Sequence, residues 1–232
     1  MMPMKHTICV ALLALGATVN AQMPSLTAKE KAEGWKLLFD GKSLAGWRAY
    51  KSEKPPTGWH ATNGELVRDG EGGDLMTAEQ YGDFDLRFEW KLTENGNSGV
   101  IYRIATTEEF PWQTGPEYQI LHNAGHRDGK NPITSAASNY AVNPPARDLT
   151  RPIGEWNESR LVARGNVVEH WLNGQKVVQY EIGSPDWLAR VAASKFAKLK
   201  DYGRVKRGHI ALQDHGNLVY YRNIKIRSLD PS

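Results

Sequence analysis

The sequence predicts an all-β fold, a sandwich or jelly roll of two antiparallel sheets, and three observations predict it. Short runs of alternating apolar and polar residues recur along nearly the whole chain, with turn residues between them. The segment "EWNESRLVARGNVVEHWLNGQKVVQYEI" holds three such runs split by Gly165-Asn166 and Asn173-Gly174, the pattern of a two-hairpin meander with tight turns. Finally, about 210 residues after the N-terminal leader suit a single all-β domain. Roughly a dozen strands at this spacing are enough for two packed sheets.

Residues 1–21 read as a signal peptide. Lys5 and His6 form a short basic start, "TICVALLALGATV" an apolar stretch, and "VNA" a small-x-small cleavage site after Ala21. The apolar stretch is too short to span a bilayer, so no membrane anchor is expected. Cys9 lies inside it and is the chain's sole cysteine, so the mature chain can form neither a disulfide nor a thiolate metal site. An exported, disulfide-free chain points to a bacterial periplasm or the extracellular space. Removal of Lys5 takes the formal charge from +3 to +2. That balance, with no Lys/Arg run, gives no reason to expect a nucleic-acid partner.

A polar lead (22–33), expected to be flexible, precedes a single domain over 34–230. "WKLLFDG" and "SLAGWRAY" are followed by "GWHATNGELVRDG", with a turn at Asn63-Gly64. "FDLRFEWKL", the loop "TENGNS" and "GVIYRIA" come next, then "EYQILHN", a long polar loop and a Pro-rich passage to 153. After the meander, one helix is expected near 185–196: Ser184 is a good N-cap, Pro185 fits the first turn, and Asp186 favours the dipole. The strand "GHIALQDHG" follows.

Strand alternation sorts the polar residues by face. His209, Ala211, Gln213 and His215 share one side, while Ile210 and Leu212 face the other with Asp214. In the same way Arg87, Glu89 and Lys91 oppose Phe88 and Trp90, Arg103 opposes Tyr102, Glu117 and Gln119 oppose Tyr118 and Ile120, and His170 opposes Trp171. A solvated outer face explains each strand taken alone. Together, Glu, Arg, Gln and His mixed with aromatics suggest polar groups converging on one concave sheet. "ENGNSG", with Asn97, adds short side chains where a ligand could approach. Nucleophile and phosphate-loop motifs are absent, including G-x-S-x-G and H-E-x-x-H, and no nucleotide cofactor is expected.

With "GWKLLFDGKSLAGWR", "NSGVIYR", "PEYQIL", "EHWLNG" and "GHIALQDHG", the chain resembles the 3-keto-disaccharide hydrolase domain family, also described as 3-keto-glucoside 1,2-lyase and 3-keto-2-hydroxyglucal hydratase, from about Gly34 to Leu229. The resemblance implies a concanavalin A-like jelly-roll sandwich. It also implies a 3-keto sugar as substrate, supplied by an upstream glycoside 3-oxidoreductase. Oxidation at C3 makes the C2 hydrogen acidic. A base can remove it, and the C1 substituent then leaves to give a 2-hydroxyglucal to which water can add. Such chemistry needs a base, a stabiliser for the enolate oxygen and an acid for the departing oxygen. On this resemblance Glu117 and His215 are the acid/base candidates and Arg103 the fixed positive charge. Gln119, Gln213, Asn97 and Asp214 would bind substrate hydroxyls. A divalent metal ion held by Glu89 and His170 is a further expectation.

Two other readings stand beside it. A carbohydrate-binding module would rest on aromatics and amides with no clustered ionisable pair. A two-carboxylate glycosidase would need Glu89 and Glu117 to flank one bond, roughly 5–5.5 Å or 6.5–9.5 Å apart.

Overall fold

The computed structural model describes residues 23–230; the expected signal peptide and its cleavage site lie outside them. The chain folds as α1 (Ala28–Ala32) followed by β1 (Lys36–Leu37), β2 (Trp47–Ala49), β3 (Trp59–Thr62), β4 (Glu65–Arg68), β5 (Leu75–Thr77), β6 (Phe84–Leu92), β7 (Asn97–Ile104) and β8 (Glu117–Leu121). Then come β9 (Asn157–Arg164), β10 (Val167–Leu172), β11 (Gln175–Glu181), α2 (Pro185–Ala192), β12 (His209–Leu212) and β13 (Val219–Ser228). They form two antiparallel sheets. One runs β11-β10-β9-β6-β13-β4-β3, with β1 also paired to β13; the other runs β2-β5-β12-β7-β8. Among the described residues no helix is long and apolar enough to cross a membrane.

The turns form where the sequence supplies residues that tolerate positive φ. Asn173 and Gly174 (φ 47° and 82°) close β10 to β11, and Asn63 and Gly64 (φ 50° and 78°) close β3 to β4. Both dipeptides meet the demand of a type I′ hairpin for two left-handed residues. The core lies between the sheets, and the expected inward residues Phe88, Trp90, Val100, Ile210 and Leu212 are all in it. Each contributes apolar burial of about 1.5–3 kcal/mol, which orders the sandwich.

Two sequence expectations change. The lead is not a loose tail from residue 23 on: Thr27 and Glu30 make a reciprocal capping box on α1, and Glu30 pairs with Lys225 of β13. The helix near 185–196 ends at Ala192. Ser184 caps it by accepting from Trp187 N at 3.2 Å, and the buried Trp187 ring stacks on Tyr202 at 6.0 Å. Phe196 stacks on the other part of that cluster, 4.2 Å from Tyr202. These contacts pin the segment after α2 to the hydrophobic core, and with it Lys195.

Candidate active site

Neighbouring strands of the five-stranded sheet align their outward residues in rows. Glu117 lies opposite Ile101, which lies opposite Ala211, which lies opposite Met76. One pleat along, Gln119 lies opposite Gly99, and Gln213 donates its backbone N–H to Gly99 O at 2.9 Å. Asp74 comes next, immediately before β5, accepting from Asp214 N at 2.7 Å. Beyond β8 the chain doubles back, and Tyr140 N donates to Glu117 O at 3.0 Å, so Tyr140 borders Glu117 on the free edge.

Gly99 is the position that shapes the floor. A Cβ there would overlap Glu117 Oε1. The Glu117 carboxyl therefore lies across Gly99 towards Gln213. Glu117 is itself only 5% exposed. Burial pushes its pKa up to about 8, with nearby Asp74 pushing the same way, while Lys195 and a hydrogen bond from Gln213 pull it back. Asp74 is raised to about 6 by burial and by the adjacent Asp214 carboxylate.

The walls come from loops. Lys195 Nζ lies 4.3 Å from the Tyr140 ring centroid, 5.2 Å from Phe196 and 5.8 Å from Trp112, a cage of aromatic faces for one cation. Burial lowers its pKa, against the opposing pull of Glu117 and Asp128. Tyr140 Oη donates to Asp128 Oδ2 at 3.1 Å. Asp128 also acts on His215, whose ring stands 6.4 Å from His126; burial and the nearby His126 lower the His215 pKa. Asn97 lies on the same outward side of β7 as Gly99, its Oδ1 buried and without a partner among the described residues. A buried acceptor left open in this way suits a donor from a ligand.

The structure brings together only part of the expected set. Glu117, Gln119, Asn97 and Gln213 share this face, although Gln119 spends its amide on Thr134 O and Ile120 N. His215 stands at the rim among His126, Asp128 and Asp214, not beside Glu117. Asp214 is a correction: Arg68 pairs with Oδ1 at 2.6 Å and Gly73 N donates to Oδ2 at 3.1 Å, so the carboxylate fixes the turn.

Arg103 is a second correction. Alternation assigns it to the face of Ile101, but β7 bulges against β12, pairing Ile101 with Ala211 and then Ile104 with His209. Arg103 takes φ 52°, Ile104 takes its place on the outer face, and the guanidinium turns to Gly82 O, Gly165 O and Asp83. The cation near Glu117 is Lys195, which no strand pattern could reveal because it follows a helix. Asp74 was missed for a similar reason: it lies just before β5, whose three residues are too few for a periodic signal.

The proposed metal pair fails as well. His170 is fully buried between the sheets, its Nδ1–H donating to Ala137 O at 2.9 Å and its ring packed by Tyr102, Tyr118 and Tyr180. Burial lowers its pKa to about 4, so it stays neutral. Glu89 is on the outer face of the eight-stranded sheet, the sheet whose inner face carries His170, and is held by Arg222 at 2.8 Å and Asn223 at 2.6 Å. The two cannot share an ion. Among the described residues no three His, Asp or Glu side chains converge as metal ligands do. Glu89 and Glu117 are also separated by the thickness of the sandwich, about 10 Å between sheets, which removes the two-carboxylate glycosidase arrangement.

Two open clefts lie away from this floor. One of about 560 Å³ covers Arg87, Glu89 and Arg160 on the eight-stranded sheet, and one of about 300 Å³ is bordered by His122, Asp148 and Arg151.

Comparison with known proteins supplies the remaining findings. The pattern of the 3-keto-alpha-glucoside-1,2-lyase-like domain matches residues 34–227. A 3-keto-disaccharide hydrolase of Bacteroides thetaiotaomicron is 32% identical over 242 residues, covering 90% of this chain and 83% of that protein. The crystal structure of a candidate glycosyl hydrolase from Parabacteroides distasonis superposes with a TM-score of 0.84 at 36% identity, covering 90% of this chain and all of that one. The carbohydrate-binding module CBM66 of Bacillus subtilis matches in fold alone, at TM-score 0.50 and 12% identity over 79% of this chain and 96% of that one.

Proposed function

The chain belongs to the 3-keto-alpha-glucoside-1,2-lyase-like domain family, and from that premise we propose that it cleaves 3-keto-glucosides, 3-keto-disaccharides among them, by elimination across C1–C2 and hydration of the product. The observation that carries this reading is the buried Glu117 carboxyl, pushed up to about 8 beside Asp74 at about 6. Near pH 7 the pair holds one proton, on Glu117, and leaves Asp74 ionised. Two titratable groups with pKa values driven apart are the acid and the base of a single site. A binding module has no use for such a pair.

Asp74 takes the C2 proton, and the electron pair left behind is delocalised onto the C3 oxygen as an enolate. The Lys195 ammonium offsets that charge from its aromatic cage. The enolate collapses to re-form the ketone, the C1–C2 double bond forms, and the C1–O bond breaks with the Glu117 proton passing to the departing oxygen. Water then adds at C1 as C2 regains a proton, so the sum is hydrolysis. Asn97 Oδ1 and the Gln213 amide receive sugar hydroxyls. An upstream oxidoreductase acting at C3 must supply the substrate, and the leader in residues 1–21 would place the reaction outside the cytoplasm.

The test is to incubate the protein in deuterated water with a 3-keto-glucoside and with its unoxidised parent. Only the keto form should turn over, and the released keto-sugar should carry deuterium at C2. Equal turnover of the parent, or a product without C2 deuterium, would overturn the elimination route.

A further inference from the structure

Phe110 is 46% exposed, yet its position is fixed. It precedes the short 3-10 helix Pro111–Gln113, and its N–H donates to Gln113 Oε1 at 2.7 Å. Tyr50 Oη donates to Glu108 O at 2.7 Å and Gly203 N to Thr114 O at 2.8 Å, tying down both ends of the loop. The Phe110 ring lies parallel to Trp112, 8° apart with centroids at 5.9 Å, so the two form one offset aromatic shelf. Trp112 rests on the outer apolar patch of Met76, Ile101, Ile104 and Ala211, and Ile101 is the cross-strand partner of Glu117. The shelf is therefore continuous with the floor of the site. Lys195 links them, since it faces both the Trp112 ring and Glu117.

A rigidly held, exposed aromatic face beside a sugar-cleaving centre has one natural occupant. We propose that the Phe110–Trp112 shelf receives the C1 substituent of the substrate and selects leaving groups that are rings, a second sugar or an aromatic aglycone, over small alkyl groups. The apolar face of a pyranose or an arene can lie on the shelf and cover surface that water now contacts; a methyl group cannot reach it. The inference rests on the keto-glucoside reading.

The experiment compares kcat/KM for methyl, glucosyl and aryl 3-keto-glucosides in the wild type and in Phe110→Ala. The glucosyl and aryl substrates should lose about five- to tenfold more than the methyl one, the worth of one aromatic stacking contact. Equal losses on all three, or no loss on any, would overturn the shelf. Calorimetric binding of aryl and methyl glucosides to both proteins reads the same selectivity without turnover. If the wild type cleaves no keto-glucoside, the functional reading fails. The shelf then stands or falls on whether Phe110→Ala removes the binding preference for the aryl compound.

Discussion

The two outward sheet faces use the same residue types to opposite ends. On the eight-stranded sheet the central charges are paired with one another. Asp85 accepts from Arg160 at 2.8 Å and Arg227 at 3.1 Å, and Glu89 pairs with Arg222 at 2.8 Å. Trp35 lies between the guanidiniums of Arg87 and Arg227, while Lys91 covers Trp156 and Tyr220. On the five-stranded sheet, among the described residues, Glu117 and Asp74 have no direct ion-pair partner and Asn97 Oδ1 has no hydrogen-bond partner. Paired charges make a surface; charges left partly unpaired and desolvated make a reactive site.

The contrast is sharpest in Glu117→Gln. Loss of the proton donor should lower kcat by about 10²–10⁴-fold. Because the folded-state pKa of Glu117 is raised, folding favours its protonated form, and wild-type stability falls as pH rises from its usual 4.5 towards about 8. Glu117→Gln should thus match the wild type in melting temperature near pH 4 and exceed it near pH 9. The wild-type activity profile should rise through about pH 6 as Asp74 ionises and fall through about pH 8 as Glu117 loses its proton. A profile whose alkaline limb survives in Glu117→Gln would break the assignment.

A smaller effect is expected at Lys195. Lys195→Met keeps the stem over Tyr140 and Phe196 but removes the charge, and kcat should fall about 10–100-fold with the melting temperature nearly unchanged. A change confined to KM would make Lys195 a binding group instead.

The smallest effect belongs to the other face. Glu89→Gln breaks a partly buried surface pair with Arg222 and should remove about 0.2–1 kcal/mol of stability, read by urea denaturation. Its kcat on a 3-keto-glucoside should stay within twofold of wild type. A large loss of activity would mean that the two faces communicate and that the contrast between them is wrong.

Within strands free of bulges, the sequence was a reliable guide to the face. Gln213 and Ala211 do lie opposite Ile210 and Leu212, and Glu117 opposite Tyr118, because a pleated backbone repeats every two residues and needs no distant information. The Asn-Gly hairpin turns were equally legible, since that dipeptide readily accepts two positive φ values.

The sequence by itself therefore determined the strands, their turns, the core-facing residues and the family to which the chain belongs. The tertiary structure decided which outward residues meet. Glu89 and Glu117 alternate alike in sequence, but strand order sends one to the eight-stranded sheet and the other to the five-stranded sheet. A bulge in β7 breaks the alternation at Arg103 and removes it from the floor, while stacking of Trp187, Tyr202 and Phe196 brings Lys195 to it from a loop. The physical reason is one of range. Pleat and turn are set by neighbouring residues, whereas a site is set by pairing and packing between segments that lie far apart along the chain.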